Sequence, residues 1–314
     1  MKKKSAISKS ITISIFLFLC LSVIALFFYE IRSYKLRIKD VLEVEMARIE
    51  KDLDKKFDHT HEVINKMIVE IKKNPQDKKY INEVMKIYKT NPYLVDEFSW
   101  TVFSWTNSNN KIIVDTRYGI SSDLRDLSMR DYMKFTQKEA GKFFLGQPVI
   151  GSPSQKWTIP GGVGAELNGK YLGTMTIGFE IEVLASLLQR NITNNYVTFK
   201  LLGSSKKPIL CTQSIKYQIY KNSDLELEEI VRKNIDEMEN KNAVEAFYIN
   251  VFGEDAKAIL LKKSDKYPFI LIATYEHKML EKKLLESYFN KVKIELLILM
   301  TLLSLFLSYR FVFK

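Results

Sequence analysis

Two uncharged apolar tracts stand near the ends of the chain, and a longer stretch of mixed polarity separates them. Ser10 to Tyr29 is a run of twenty residues without a charge, rich in Ile, Leu, Phe and Val. About twenty such residues in a helix cross the hydrocarbon core of a bilayer. The run exceeds the apolar region of a secretory leader, and no small-x-small cleavage site precedes Glu30. Cys20 does not follow a small residue, as a lipoprotein site would prefer. The reading is an uncleaved transmembrane anchor. At the other end, Leu296 to Tyr309 gives fourteen uncharged residues, and Ile294 to Phe313 gives twenty if Glu295 and Arg310 lie at the interfaces. Arg310 can snorkel there, and Tyr309, Phe311 and Phe313 suit an aromatic belt. A second span is expected.

From Ile31 to about Lys73 the apolar positions fall three and four apart: Ile31, Tyr34, Ile38, Val41, Ile49, Leu53, Phe57, Ile64, Met67 and Ile71. That spacing predicts one long amphipathic helix, roughly 60 Å over about 40 residues, stopping near Asn74-Pro75. The period then shortens to that of strands. Glu97 to Trp105 and Lys111 to Asp115 read as a hairpin across Asn107-Ser-Asn-Asn110, and residues 129 to 139 read as a helix. Lys142 to Ile150, Lys156 to Leu167 and Lys170 to Glu180 are strand candidates, the last two joined by an Asn168-Gly169 turn. A helix over Glu182 to Arg190 closes this unit. A second unit follows, with strands at 196–202, 208–212, 246–252, 256–262 and 268–275 and a helix from Ser223 to Lys233 opened by a Ser-Asp cap. His277 to Lys293 reads as a helix leading into the final span.

Composition narrows the classes. Of 314 residues 46% are hydrophobic and 27% charged, a balance that can bury a core and excludes a disordered chain. Two cysteines exclude a disulfide framework and a multi-cysteine zinc site, and three histidines leave little for a histidine-rich metal centre. His59 and His61 are two apart on a helix, on different faces, so no metal site is expected. The net charge of +11 is concentrated at the ends: without Lys2, Lys3, Lys4, Lys9, Arg310 and Lys314 there remain 42 positive against 37 negative residues. What remains is diffuse, and a nucleic-acid partner is not expected. Charge does not orient the chain, because Arg32, Lys35, Arg37 and Lys39 follow the first span as closely as four lysines precede it.

Ile113-Val-Asp115 precedes a turn, and Asp126-Leu127-Ser128-x-Arg130-x-Tyr132 opens a helix. After them come Gly146-x-Pro148-Val149-x-Gly151, an Ile159-Pro160 strand and Asn168-Gly169-x-Tyr171-x-Gly173. In this order the tract from about Trp100 to Leu184 resembles the extracytoplasmic double-Cache sensor module of bacterial histidine kinases, diguanylate cyclases and chemoreceptors. The resemblance implies an α+β fold, with a long N-terminal helix followed by two PAS-like antiparallel-sheet modules, flanked by two transmembrane helices. The expected divisions are a basic tail at 1–9, spans at 10–29 and 294–313, a long helix and connection at 30–95, a membrane-distal module at 96–190, a membrane-proximal module at 191–276 and a linking helix at 277–293. It also implies a two-pass protein of the cytoplasmic membrane with its central domain outside, paired as a homodimer through the long helix. No transmitter signature follows the second span here. The expectation is therefore a sensor without its own output, a truncated product or a subunit that borrows a separate cytoplasmic signalling protein.

In such modules the ligand lies between the distal sheet and the segments covering it. Arg130 can grip a carboxylate with two parallel bonds, and Tyr132 adds a phenol beside an aromatic wall. Trp157, Lys156 and Ser154 are expected on the neighbouring strand. Amino-acid-binding members of the family carry a Trp-Tyr pair after the arginine and a distant aspartate. Tyr132-Met133 and Ile177 stand at roughly those places, which argues against amino-acid recognition in that manner. Pro160-Gly-Gly-Val-Gly164 matches neither dinucleotide nor Walker spacing. Its glycines suggest a strand bend or a close backbone approach to ligand. Glu180 and Glu182 read as solvated, and no catalytic motif, cofactor or enzymatic role is expected. The rival reading is a membrane-anchored interaction or structural protein. A cavity lined by Arg130 and Tyr132 would favour sensing, and a filled core would favour scaffolding.

Overall fold

The structure, a computed structural model, describes residues 2–91, 100–122, 124–151, 157–190, 192–193, 196–212, 229–251, 256–275 and 280–312. Helix α1 is unbroken over Lys2–Ile71. Its buried seam runs through Tyr34, Ile38, Leu42, Met46, Ile49, Leu53, Phe57, Ile64, Met67 and Ile71. Leu42 and Met46, not Val41, carry the seam between Ile38 and Ile49, because the four-residue step from Ile38 keeps the 3.6-residue period. The helix ends before Asn74-Pro75 in a tight turn, and Asp77 then caps α2 (Lys78–Thr90) by accepting from Lys79 N at 2.9 Å and Tyr80 N at 3.2 Å. From periodicity only a connection is expected there. In α2 the apolar residues Ile81, Val84 and Met85 are buried.

The first sheet contains β1 (Trp100–Thr106), β2 (Ile112–Asp115), β3 (Gly119–Ile120), β4 (Phe143–Leu145), β5 (Val149–Ile150), β6 (Trp157–Leu167) and β7 (Lys170–Glu180). Its order is β3-β2-β1-β7-β6-β4, with β5 also pairing β6, and its pairs are antiparallel. The expected strand over 142–150 is two short strands. The break falls where Gly146 N donates to Pro160 O at 2.8 Å and Gln147 N donates to the Asp131 carboxylate at 3.2 Å. Helices α3 (Asp131–Lys138) and α4 (Ile181–Arg190) belong with this sheet. The second sheet, β8 (Val197–Leu202), β9 (Pro208–Cys211), β10 (Glu245–Asn250), β11 (Lys257–Lys263) and β12 (Ile270–Tyr275), has the order β10-β11-β12-β8-β9. In both sheets the first strand sits beside the last, with the second strand outside it. The two sheets thus repeat one strand order. Helix α5 (Glu229–Asn240) runs past the expected end at Lys233, and the expected start with its Ser-Asp cap at residues 223–224 falls outside the described residues.

Strand alternation divides the side chains between two faces. On β4, Phe143 meets Phe57 of α1 at 5.7 Å, whereas Phe144 stacks on Phe135 of α3 at 5.5 Å. The second sheet buries Leu202, Ile259, Leu261, Ile270 and Ile272 against Val231, Ile235 and Met238 of α5.

Contacts divide the chain into two units, one of Met1–Val41, Ile249–Ala258 and Glu276–Lys314, the other of Leu42–Tyr248 and Ile259–Tyr275. Within the first unit α1 lies beside α6 (Leu280–Val312). Phe27 and Tyr288 meet edge to face at 5.0 Å. The fully buried Glu30 accepts from Arg37 at 2.7 Å, from the Ser287 hydroxyl at 2.7 Å and from Lys291. Among the described residues no helix is long and apolar enough to cross a membrane. Many side chains of Ser10–Tyr29 and of Leu296–Phe313 lie outside the described residues.

Candidate ligand-binding site

The α3 face of the first sheet carries small side chains where its strands are central. Ser104 pairs with Thr176, and Pro160 with Gly178, while the bulky Met175 and Phe179 alternate to the opposite face. Side chains of that size cannot fill the space beneath a covering segment. A cavity of about 330 Å³ results, closed above by the 125–132 segment and the start of α3 and bounded on one side by Val149 to Gly151. That volume suits a small organic ligand.

Arg130 and Tyr132 both line it. Arg130 is the N-cap residue of α3, with extended backbone angles (φ −75°, ψ 134°) and an exposed side chain that makes no capping bond. No carboxylate among the described residues pairs with its guanidinium. Tyr132 is buried, at 3% exposure. Burial pushes its hydroxyl pKa well above the ordinary phenol value, so it remains a neutral donor. Trp157 is half-buried at the start of β6, paired with Ile150, and is not among the residues lining the cavity. Ser154 and Lys156 lie outside the described residues.

The cavity has further charged residues that the sequence reading did not single out as ligand contacts: Asp115, Arg117, Arg125 and Asp126. Asp115 is 2% exposed and fully engaged. One oxygen accepts from Arg117 N at 2.9 Å and Tyr118 N at 2.7 Å, and the other accepts from Arg125 at 3.0 Å. This pair closes the β2–β3 turn and neutralises itself. Asp126 accepts from Ser128 N at 2.8 Å, and that bond lowers its pKa. Asp131, next to Arg130, turns away from the guanidinium. Its carboxylate accepts from Tyr132 N at 2.9 Å, Gln147 N at 3.2 Å and the Ser205 hydroxyl at 2.8 Å.

The glycines of the 160–164 segment make close approaches, but to the protein itself and not to an open ligand space. A Cβ on Gly164 would lie 2.0 Å from Thr136 O, so α3 rests directly on this strand. The hydroxyl of Thr136 bonds that of Thr174 at 2.9 Å beside it. On the covering segment, a Cβ on Gly146 would fall 2.4 Å from the Tyr132 ring. The glycines therefore seat α3 and its tyrosine. The histidines have separate neighbours: His59 stacks on Trp100, and His61 Nε2 donates to Gly141 O at 2.8 Å.

No protein-family model and no curated protein matches the sequence. Solved structures do share its fold. The extracellular domain described as histidine kinase rpHK1S-Z16 is similar with TM-score 0.56 at 13% identity, over 78% of this chain and 96% of that one. The ligand-binding domain of the Pseudomonas fluorescens chemoreceptor CtaA, solved with L-isoleucine, gives 0.54 at 11% identity over 79% and 96%. An extracellular ligand-binding receptor from Desulfohalobium retbaense gives 0.54 at 11% identity over 75% of this chain, which spans only 40% of that receptor. The first is the extracellular domain of a kinase, and the other two are described as ligand-binding. With a long leading helix and two sheets of one strand order, the chain shares the α+β fold of extracellular and ligand-binding domains of histidine kinases and chemoreceptors.

Proposed function

We propose that the chain is the sensory part of a membrane-anchored receptor, binding a small anionic ligand in the first module and passing the event through α1 and α6 to a separate signalling protein. The observation that carries this reading is the cavity of about 330 Å³ with Arg130 at its rim and, among the described residues, no carboxylate paired to it. A filled core would have favoured scaffolding. The apolar runs Ser10–Tyr29 and Ile294–Phe313 serve as anchors in the cytoplasmic membrane, with the middle outside and the long helix pairing two copies. Because CtaA was solved with L-isoleucine and with L-serine, amino acids belong among the ligands to test.

The test is binding of small organic acids and amino acids to the full chain in detergent. A charge-assisted bond of this type is worth about 1.5–3 kcal/mol, so Arg130→Ala should weaken binding roughly 10- to 150-fold. Arg130→Lys should recover only part, because the planar fork is lost. Unchanged affinity in a stable Arg130→Ala protein would remove this site. A periplasm-active reporter inserted near Gly203 tests the topology, and activity of a cytoplasmic reporter there would reverse it.

A further inference from the structure

The turn between β8 and β9 of the second module reaches Leu145, Gln147 and Asp131 of the first. Ser204 N donates to Leu145 O at 3.3 Å, and Leu145 N donates to the Ser204 hydroxyl at 3.2 Å. The Ser205 hydroxyl donates to Asp131 at 2.8 Å and lies 3.2 Å from Gln147 Nε2, which reaches Lys207 O at 3.5 Å. A Cβ on Gly203 would fall 3.1 Å from Leu145 O, so the turn is fitted against β4. Asp131 is the hub of this cluster. Its other oxygen accepts from Tyr132 N and Gln147 N, and Asp131 is the first residue of α3, directly between Arg130 and Tyr132 in the chain.

We infer that Ser205, through Asp131, is a positioning residue for the cavity: it fixes the start of α3 and thereby the reach of Arg130 and the seat of Tyr132. The inference rests on the proposed ligand site and deepens it by naming how the second module governs that site. The neighbouring bonds restrict any alternative. The Tyr132 ring is held against Gly146, and Gly146 N is bonded to Pro160 O, so α3 cannot shift without disturbing the segment from Leu145 to Gln147. That segment is where Ser204 and Ser205 attach. Movement at either end is therefore felt at the other, and linkage requires that occupancy of the cavity and placement of the β8–β9 turn favour each other equally. A single charge-assisted bond is enough to bias such an equilibrium about tenfold.

The experiment uses the full chain in detergent and has two arms. Hydrogen exchange is followed over residues 131–138 and 145–147 in the parent, Ser205→Ala, Ser205→Thr and, as a control, Ser186→Ala, whose hydroxyl donates to Glu182 O within α4. Calorimetric titration then uses succinate, acetate, L-serine and L-isoleucine as probes. Ser205→Ala should speed exchange in both segments about tenfold and weaken any probe that depends on Arg130 by a similar factor. Ser205→Thr, which keeps the hydroxyl, should restore both readouts, and Ser186→Ala should change neither. If a probe binds through Arg130 while Ser205→Ala alters neither its affinity nor the exchange, the inference fails and the site stands. If no probe binds but exchange in α3 rises selectively, the positioning of α3 by Ser205 stands and the site reading falls.

Discussion

Phe57 and Phe269 meet with ring centroids 5.7 Å apart and planes inclined at 63°, one on the long leading helix and the other just before the last strand of the second sheet. The same Phe57 ring lies 5.7 Å from Phe143 and 5.9 Å from Phe179 of the first sheet. One fully buried side chain thus joins the apolar faces of both modules to α1. Phe57→Ala should cost about 3–5 kcal/mol, the range for truncating a buried phenylalanine. Denaturant unfolding of the full chain, read by tryptophan fluorescence, checks this. A loss below about 1 kcal/mol, in the range of a surface substitution, would mean that the two modules do not depend on this contact.

Two glycines should respond to alanine for different reasons. At Gly164 the added Cβ meets a backbone carbonyl 2.0 Å away, and only displacement of α3 relieves it. Gly141 has φ +85° but open space around it, so Gly141→Ala carries only conformational strain of about 1–2 kcal/mol. Gly164→Ala is expected to be the more damaging and to accelerate hydrogen exchange in α3, with Gly141→Ala leaving α3 unaffected. The opposite ranking would contradict the seating of α3 on β6.

Glu30 should make the α1–α6 pairing sensitive to acid. Burial pushes its pKa up, but hydrogen bonds from Lys291, Ser287 and Arg37 together outweigh burial and hold it at about 2, against 4.5 ordinarily. Because the folded value is the depressed one, the stabilisation is fully present above the unfolded value and is lost as pH falls through the folded one. Spin labels on the exposed positions Arg32 and Phe289 should give a narrow distance distribution at pH 6 that broadens between about pH 4.5 and 2. Glu30→Gln should broaden it at every pH. A distribution independent of pH would count against an ionised Glu30 as the link.

The Asp115–Arg125 pair permits a cycle. Arg125→Ala leaves a buried carboxylate with only two backbone donors and should cost about 1.5–3 kcal/mol. Combining it with Asp115→Asn removes the unpaired charge, so the double variant should be no less stable than Arg125→Ala alone. Strict additivity of the two losses, measured by denaturant unfolding, would show that the pair is uncoupled.

Around the cavity some features were legible in the sequence and others were not. The Ser128-x-Arg130-x-Tyr132 pattern pointed to residues that line the cavity, because a motif is local. The shape of the cavity was partly legible too: Thr174-Met175-Thr176-Ile177-Gly178-Phe179 alternates small and large residues, and its small face is the one that leaves room. Trp157, expected on the wall, pairs with Ile150 at the sheet margin instead. The strand break at Gly146 was not readable, since it depends on Asp131 and Pro160 binding amides of that segment from elsewhere in the chain.

By itself the sequence determined the long helix and the positions of most strands, because these follow from periodicity and turn residues acting over a few positions. The tertiary structure alone decided which charges are satisfied. Asp115 is spent on Arg125, Asp131 on Ser205, and Glu30 on Lys291, pairings that leave Arg130 without a carboxylate among the described residues. A carboxylate is neutralised by whatever the fold brings within hydrogen-bond reach, and spacing along the chain says little about that distance.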